Sequence, residues 1–494
     1  MKQSALVVIA LLLFAQSAFG ADDAVTRATK LYEKRHYEEA ISMLNADIPA
    51  LDQSRKGAAH LALGMLYLKS AELYRAFYEE SLAIEQIYLK KISSVKGKER
   101  SLYAEYYMGL TLLEGGKPGL AATAIENFLT DNNLDSLAVE IAKINLGLCF
   151  YLNGEKERAE NLWGSIVSTA PEIKSELASA YSRAGLKEKD PVALCDQSAA
   201  EAKRAGKVLT NRMVRNAISV YTRARLVDKG FDVLKRSNIK AYSYREVLGK
   251  SKIIYFYDPS LLGDISDLYS QLCIISLEKI AVDPRLKDAG QYYLSEAYFL
   301  FGNTAQSAKV MTSVVSDPHM PQQYKNRVRI WQVANDYRLG KKTEAIGMLT
   351  EQSKKQPIDP DLLSEILFTC ARIKAECGMI SGEAEPVAES GQGKRFVTLN
   401  FALGKYYLVR KNSARAITYM EAGRDKSNKN KIEFNDPLML VDLAGLYVRS
   451  KKFSEALEIY FEMSKQFPAV RQIQEAMQGI YAMEQKSAGD VKIF

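Results

Sequence analysis

Leu438–Pro468 reads LMLVDLAGLYVRSKKFSEALEIYFEMSKQFP. Its small residues Ala444 and Ala456 fall where two antiparallel helices would cross, and Leu443, Tyr447, Phe453 and Tyr460 are spaced to fill the seam between them. Asp436 and Pro437 suit an N-cap and a first helical position, and Pro468 closes the second helix. The stretch predicts a helical hairpin.

The same pattern recurs upstream. Gly404, Tyr407, Ala416 and Met420 outline the preceding hairpin, Val333, Gly340, Ala345, Leu349 and Pro357 another, and Ser295, Tyr298, Gly302 and Met311 a third. Leu146, Gly147, Phe150, Gly154, Ala159, Trp163 and Pro171 repeat it clearly, as do Gly109, Gly116, Ala121 and Ile125. Gly64, Tyr67 and Ala76 predict a hairpin within 57–91, and Ala28, Tyr32, Tyr37, Ala40 and Leu44 the first of the series. A final helix over 470–485 would cap the stack.

With these residues the chain resembles the tetratricopeptide-repeat family over most of its length, closely at Gly147–Pro171 and Leu438–Pro468. The resemblance implies an all-α fold, an α-solenoid superhelix of stacked antiparallel hairpins, and work as a non-catalytic scaffold for other proteins. Gly109 and Gly147 lie 38 residues apart, as do Ser295 and Val333, while Gly404 and Ala444 lie 40 apart; the family's period is about 34. The excess predicts an extra helical turn per unit, or a longer connection such as the polar run Arg424–Asp436, and an irregular superhelix.

Two regions depart from the pattern. Between Gly185 and Lys252 the seam residues do not align, although Ala193–Ala205 and Asn211–Lys235 read as helices. Ile253–Tyr257 is β-branched and aromatic, and with no evident partner it reads as an apolar connection lying on the array. Met379–Lys394, MISGEAEPVAESGQGK, reads as a flexible loop. The expected division is a signal segment 1–20, a first array 21–185, a degenerate helical region 186–285, central repeats 286–378, a loop 379–395, and C-terminal repeats with a capping helix 396–494.

Lys2, an apolar run Ala5–Ala15 and small residues at Ala18 and Gly20 predict a secretory signal peptide cut between Gly20 and Ala21. The run is shorter than the about 20 residues that span a bilayer, and no cysteine stands at the cut for lipid attachment. A periplasmic or secreted location follows as an expectation. Five cysteines, an odd number set mostly in apolar runs, do not suggest a disulfide framework, and Cys370 and Cys377 would stand two turns apart on a straight helix. The three histidines lack ligand-type companions, so no metal site is expected. A net charge of +8 over 494 residues is too dilute for a nucleic-acid partner.

No catalytic or cofactor-binding residue emerges. Gly249-Lys250-Ser251 lacks the glycine five residues earlier that a phosphate loop needs, Tyr244 standing there. Glu389-Ser390 resembles the acid-bearing dipeptide of lytic transglycosylases, but its Gly/Ser/Pro surroundings cannot hold a proton near neutral pH. The expected site is a partner-binding groove on the first helix of each hairpin, lined by Tyr106, Tyr151, Tyr292, Phe299, Tyr337 and Phe401, with Arg338 and Lys405. Such aromatics favour an envelope protein or peptide segment, with polysaccharide as a second ligand class and a glycan-handling accessory role as the second function. Aromatics at helical spacing also pack as plain core, which is the competing structural reading.

Overall fold

In the computed structural model, the described residues are 24–93, 104–130, 134–236, 243–248, 252–257, 260–281, 283–354, 359–430, 437–466, 473–474 and 476–481. Gly20, Ala21, Gly249–Ser251, Pro357, Asp436 and Pro468 lie outside them, as does much of the expected capping helix, of which 473–474 and 476–481 are helical. Two compact units divide the chain. One holds Met1–Ser70, Leu272–Ser450 and Glu458–Val470; the other holds Ala71–Gln271, Lys451–Leu457 and Arg471–Phe494.

Helices α1 (Ala24–Glu33) and α2 (Tyr37–Asp47) open the chain, followed by the long α3 (Gln53–Ser93). The second unit then stacks α4 (Ala104–Glu114) with α5 (Pro118–Leu129), α6 (Ser136–Leu152) with α7 (Lys156–Gly164), α8 (Pro171–Ala184) with α9 (Pro191–Arg204), and α10 (Asn211–Arg223) with α11 (Val227–Arg236). A hairpin of β1 (Ser243–Leu248) and β2 (Lys252–Tyr257) precedes α12 (Ser260–Ile280). The first unit continues with α13 (Lys287–Leu300) and α14 (Thr304–Ser316), α15 (Gln322–Arg338) and α16 (Lys342–Ser353), α17 (Pro360–Arg372) and α18 (Gly378–Ser390), and α19 (Lys394–Val409) and α20 (Ser413–Lys429). Leu438–Pro468 supplies α21 (Pro437–Arg449) and α22 (Phe453–Gln466). Apart from the β1–β2 hairpin, the described residues form the expected helical array of stacked hairpins.

Each hairpin folds because its two helices can approach closely at one small residue. A methyl on Gly147 would lie 2.4 Å from Trp163 Nε1, on Gly109 2.5 Å from Ile125 Cγ1, and on Gly404 2.4 Å from Met420 Cγ. Trp163 is fixed there by donating to Ile144 O at 3.0 Å. The first helix then ends on a residue in the left-handed region, which lets the next amide reach back and close the turn. Glu155 N donates to Phe150 O at 2.9 Å, and Asn412 N to Tyr407 O at 3.0 Å.

Several local expectations are corrected. The hairpin expected within 57–91 is the single helix α3, since no Gly or Pro turn interrupts it after Gly64; Gly64 instead meets Leu277 of α12, 2.6 Å from an added methyl. Asn211–Lys235 breaks into α10 and α11 at Arg225, whose φ is 60°. The apolar run after Lys252 is a strand, because the polar-patterned Ser243–Leu248 pairs with it antiparallel, Ser243 opposite Tyr257 and Leu248 opposite Lys252. The expected loop 379–395 is mostly helix. Pro386 sits inside α18 with its side chain and Gly382 both exposed, so water can take the carbonyl that proline leaves unbonded. Ile380, Ser381, Ala384 and Ala388 form its buried face, and Lys426 Nζ closes its end by donating to the carbonyls of Ala388, Glu389 and Gly391. Arg424–Lys429 likewise continues α20 rather than forming a loop. Cys370 and Cys377 form a disulfide: α17 stops at Arg372, Lys374 turns left-handed at φ 56°, and the reversal brings the two Cα atoms to 6.6 Å. Cys149, Cys195 and Cys273 are buried and lie outside the bridge.

Gly147→Ala forces Trp163 out of its seat and destabilises the chain by about 2 kcal/mol. Gly347→Ala in α16 meets nothing within 4 Å, and better helix propensity stabilises by about 0.5–1 kcal/mol. Thermal melts followed by circular dichroism should lower Tm for the first and raise it for the second; a raised Tm for Gly147→Ala contradicts the seam.

Candidate partner-binding walls

Within each unit the first helices of successive hairpins pack side by side. In the first unit α13, α15, α17, α19 and α21 do so in order, and in the second α4, α6, α8 and α10. What faces inward between them is polar as well as aromatic. Arg327 on α15 donates to Tyr292 OH on α13 at 2.8 Å and grips Glu365 Oε2 on α17 at 2.7 and 3.1 Å. Trp331 Nε1 donates to the other oxygen of Glu365 at 2.8 Å. Tyr292 stacks on Tyr324 with ring centroids 4.1 Å apart, and Phe299 on Trp331 at 5.9 Å. Burial alone would raise the Glu365 carboxyl, yet the Arg327 guanidinium and the Trp331 N–H hold it below the usual carboxylate range.

The second unit repeats the design with other residues. Glu176 on α8 accepts from Asn145 of α6 at 2.7 Å and from Asn216 of α10 at 2.9 Å. Arg212 and Arg215 stand 3.7 and 3.9 Å away as ion-pair partners. Burial pushes this carboxyl up, and the two arginines and two amides more than reverse it. Tyr106 OH accepts from Asn145 and from Arg212, each at 3.3 Å.

Of the eight residues expected to line one groove, Tyr106 and Tyr151 belong to the second unit and the other six to the first. Tyr106, Tyr292, Phe299 and Phe401 are at most 4% exposed, so they are seam-filling core rather than open wall. That is the correction the competing structural reading anticipates. Tyr151 is half-buried against Trp163, centroids 5.9 Å apart, and Tyr337 is half-buried with Lys342 5.8 Å from its ring. Arg338 donates to Phe299 O at 3.0 Å, and Lys405 pairs with Asp442 at 2.7 Å. Glu389, the dipeptide acid, is exposed. The residues missed are the buried Glu176 and the half-buried ions Arg212, Arg215, Arg327 and Glu365. Their signal was a charge on an otherwise apolar helix face with a complementary group one repeat further on, such as Arg327 and Glu365.

One further polar cluster lies in the second unit, where its own chain covers the ends of α4, α8 and α10. Ser266 of α12 donates to Ala71 O at 2.8 Å, Arg75 pairs with Asp267, and a methyl on Gly263 would lie 3.1 Å from the Tyr78 ring. Asp264 sits there beside Glu114, Arg223, Arg215 and Arg183, and Arg183 pairs with Glu114 at 2.8 Å. Burial, then the like charge of Glu114, pushes the Asp264 carboxyl up to about 7, while the arginines oppose the shift. Burial likewise raises the Tyr78 hydroxyl, with Glu114 adding to it.

A carboxyl whose folded value stands above its unfolded 3.8 contributes stability that is complete below pH 3.8 and lost as pH rises through about 7. Asp264→Asn does not titrate. It should be more stable than the parent by about 1–2 kcal/mol near pH 8.5, with the gap closing toward pH 5. Melts at the two pH values check this, and a gap independent of pH contradicts it.

Residues 106–171 match the family model for the tetratricopeptide repeat. No curated protein matches the chain. Among solved structures, the chain is similar at 14% identity to one in the APC/C hetero-tetramer Cut9–Hcn1, covering 92% of this chain and 89% of that one with a TM-score of 0.27. It is similar at 12% identity to the P58(IPK) TPR domain, over 71% and 98% with a TM-score of 0.19. The pentatricopeptide repeat protein PPR10, solved with an 18-nt psaJ RNA element, is 14% identical over 97% and 64%, TM-score 0.23. These likenesses are too distant to carry anything further to this chain. The matched stretch runs from within α4 through α7 to Pro171, the first residue of α8.

Proposed function

We propose that this protein is an exported, non-catalytic scaffold that holds envelope proteins on the side-by-side first helices of its hairpins. The observation that carries the reading is the set of partly buried ion pairs spanning neighbouring repeats, Arg327–Glu365 in one unit and Glu176–Arg212 in the other, of which Glu176 is the fully enclosed member. A pair partly withdrawn from water in this way adds little net stability but penalises any sliding of one helix past the next. Walls made that way keep their spacing without a ligand, which is the preorganisation a docking frame uses. The unequal repeat lengths suit a few dedicated partners rather than a uniform one.

Export is supported by the basic-apolar-small pattern of residues 1–20 and by the Cys370–Cys377 bridge, since such bridges persist in oxidising compartments. Two of the remaining thiols are made unreactive by burial, which pushes Cys149 up to about 12 and Cys195 up to about 11.

Crosslinking of the chain from Ala21 onward in envelope extract should recover a small, reproducible set of proteins. Recovery of none, together with retention on peptidoglycan or exopolysaccharide, would replace the scaffold reading with the glycan-handling one. Thiol titration in denaturant without reductant, on protein purified from its native compartment, should count the three cysteines outside the bridge. A count of all five contradicts the bridge and removes its support for export.

A further inference from the structure

Three consecutive hairpin turns of the first unit stand on one edge, between α15 and α16, α17 and α18, and α19 and α20. Each is basic: Arg338, Lys341 and Lys342 at the first, Arg372 and Lys374 at the second, Arg410 and Lys411 at the third. The turns are neighbours, because Arg410 pairs with Glu376 of the preceding turn and the charge of Arg372, after burial, helps lower the Arg338 pKa. Asp336 and Glu376 are already engaged, by Lys341 at 3.4 Å and by Arg410.

The left-handed position of these turns is informative. Gly340 occupies it at the first of these turns and Gly302 in the preceding hairpin, where glycine has no steric penalty, yet Lys374 and Lys411 occupy it at φ 56° and 58°, as Arg35, Arg225 and Lys451 do at other turns. Asparagine is the usual substitute for glycine there, so lysine is placed against local preference. Both lysines are exposed. Between the cations stand two large apolar side chains, Leu339 at 64% and Met379 at 63% exposure.

We propose that this edge docks the protein on an anionic lipid surface. Cations set across three turn tips, with large exposed apolar side chains among them, match a headgroup layer, whose phosphates take the charge and whose acyl boundary takes the apolar groups, better than an acidic protein segment. The lysines meet lipid phosphates, and Leu339 and Met379 enter the headgroup boundary. Lysine near a helix C-terminus also favours the helix dipole, which is the purely structural account the test must separate.

The chain from Ala21 onward, with its disulfide intact, is sedimented with vesicles of phosphatidylcholine alone or with about a third phosphatidylglycerol. Binding should require the anionic lipid and fade at about 0.5 M salt. Lys341→Glu/Lys374→Glu/Lys411→Glu should lower the partition coefficient about a hundredfold. The same charge change at the exposed Lys309, Lys354 and Lys429 should change it less than about threefold. Lys374→Gly/Lys411→Gly relaxes the backbone, so Tm should not fall while binding drops about tenfold; a dipole role alone would leave binding unchanged. Equal binding to neutral vesicles, equal loss in both charge-reversed sets, or preference for polyglutamate over vesicles overturns the proposal, the last in favour of an acidic protein partner.

Discussion

Two helices can lie side by side only as closely as the largest side chain at their crossing allows. In this protein that limit is set by glycine at Gly109, Gly147 and Gly404, each of which puts a backbone directly against Ile125, Trp163 or Met420 of the paired helix. The short separation lets the bulky partner fill the seam without leaving a void, so burial of one large apolar residue per hairpin is nearly complete. Everything else in the array, from the turn that follows to the helix that packs next, inherits its position from that contact.

A seam positions helices within a hairpin but does little to fix one hairpin against the next, since apolar surfaces slide. The polar groups partly enclosed between the hairpins perform that second task. Arg327 reaches back to Tyr292 and forward to Glu365, and Glu176 reaches back to Asn145 and forward to Asn216 and Arg212. Similar ties join second helices, as when Arg424 of α20 meets Glu462 of α22 at 2.9 Å and Arg158 of α7 meets Glu126 of α5 at 2.8 Å. A slip by one residue would strand a charge in low dielectric, so register is enforced by penalty more than by attraction.

The walls built this way are largely filled by their own chain. Most aromatics expected to face a partner are the very residues that hold the wall together. Part of the second unit is further covered by residues 71–78 and 263–269, which meet 195 residues apart in sequence through Ser266 and Ala71. Asp264 is carried into that cover beside Glu114, which makes a carboxyl that would be ordinary in an isolated helix a group titrating near neutrality.

The amino-acid sequence alone determined the hairpins at 106–171 and 438–468, the small residue at each crossing, and the class of fold. Small-against-large pairing and apolar periodicity act over one hairpin and are therefore written locally. It misread what depended on distant partners. Gly64 has the crossing signature, but its partner Leu277 comes from α12. The strand Lys252–Tyr257 is defined by a neighbour whose own pattern is polar. Met379–Ser390 has loop-like composition yet folds as helix, because its small residues pack on neighbouring helices and Lys426 closes its end. The tertiary structure also decided which aromatics are core and which charges are paired. Burial and pairing are properties of the neighbours a fold supplies, and a residue's own type does not state them.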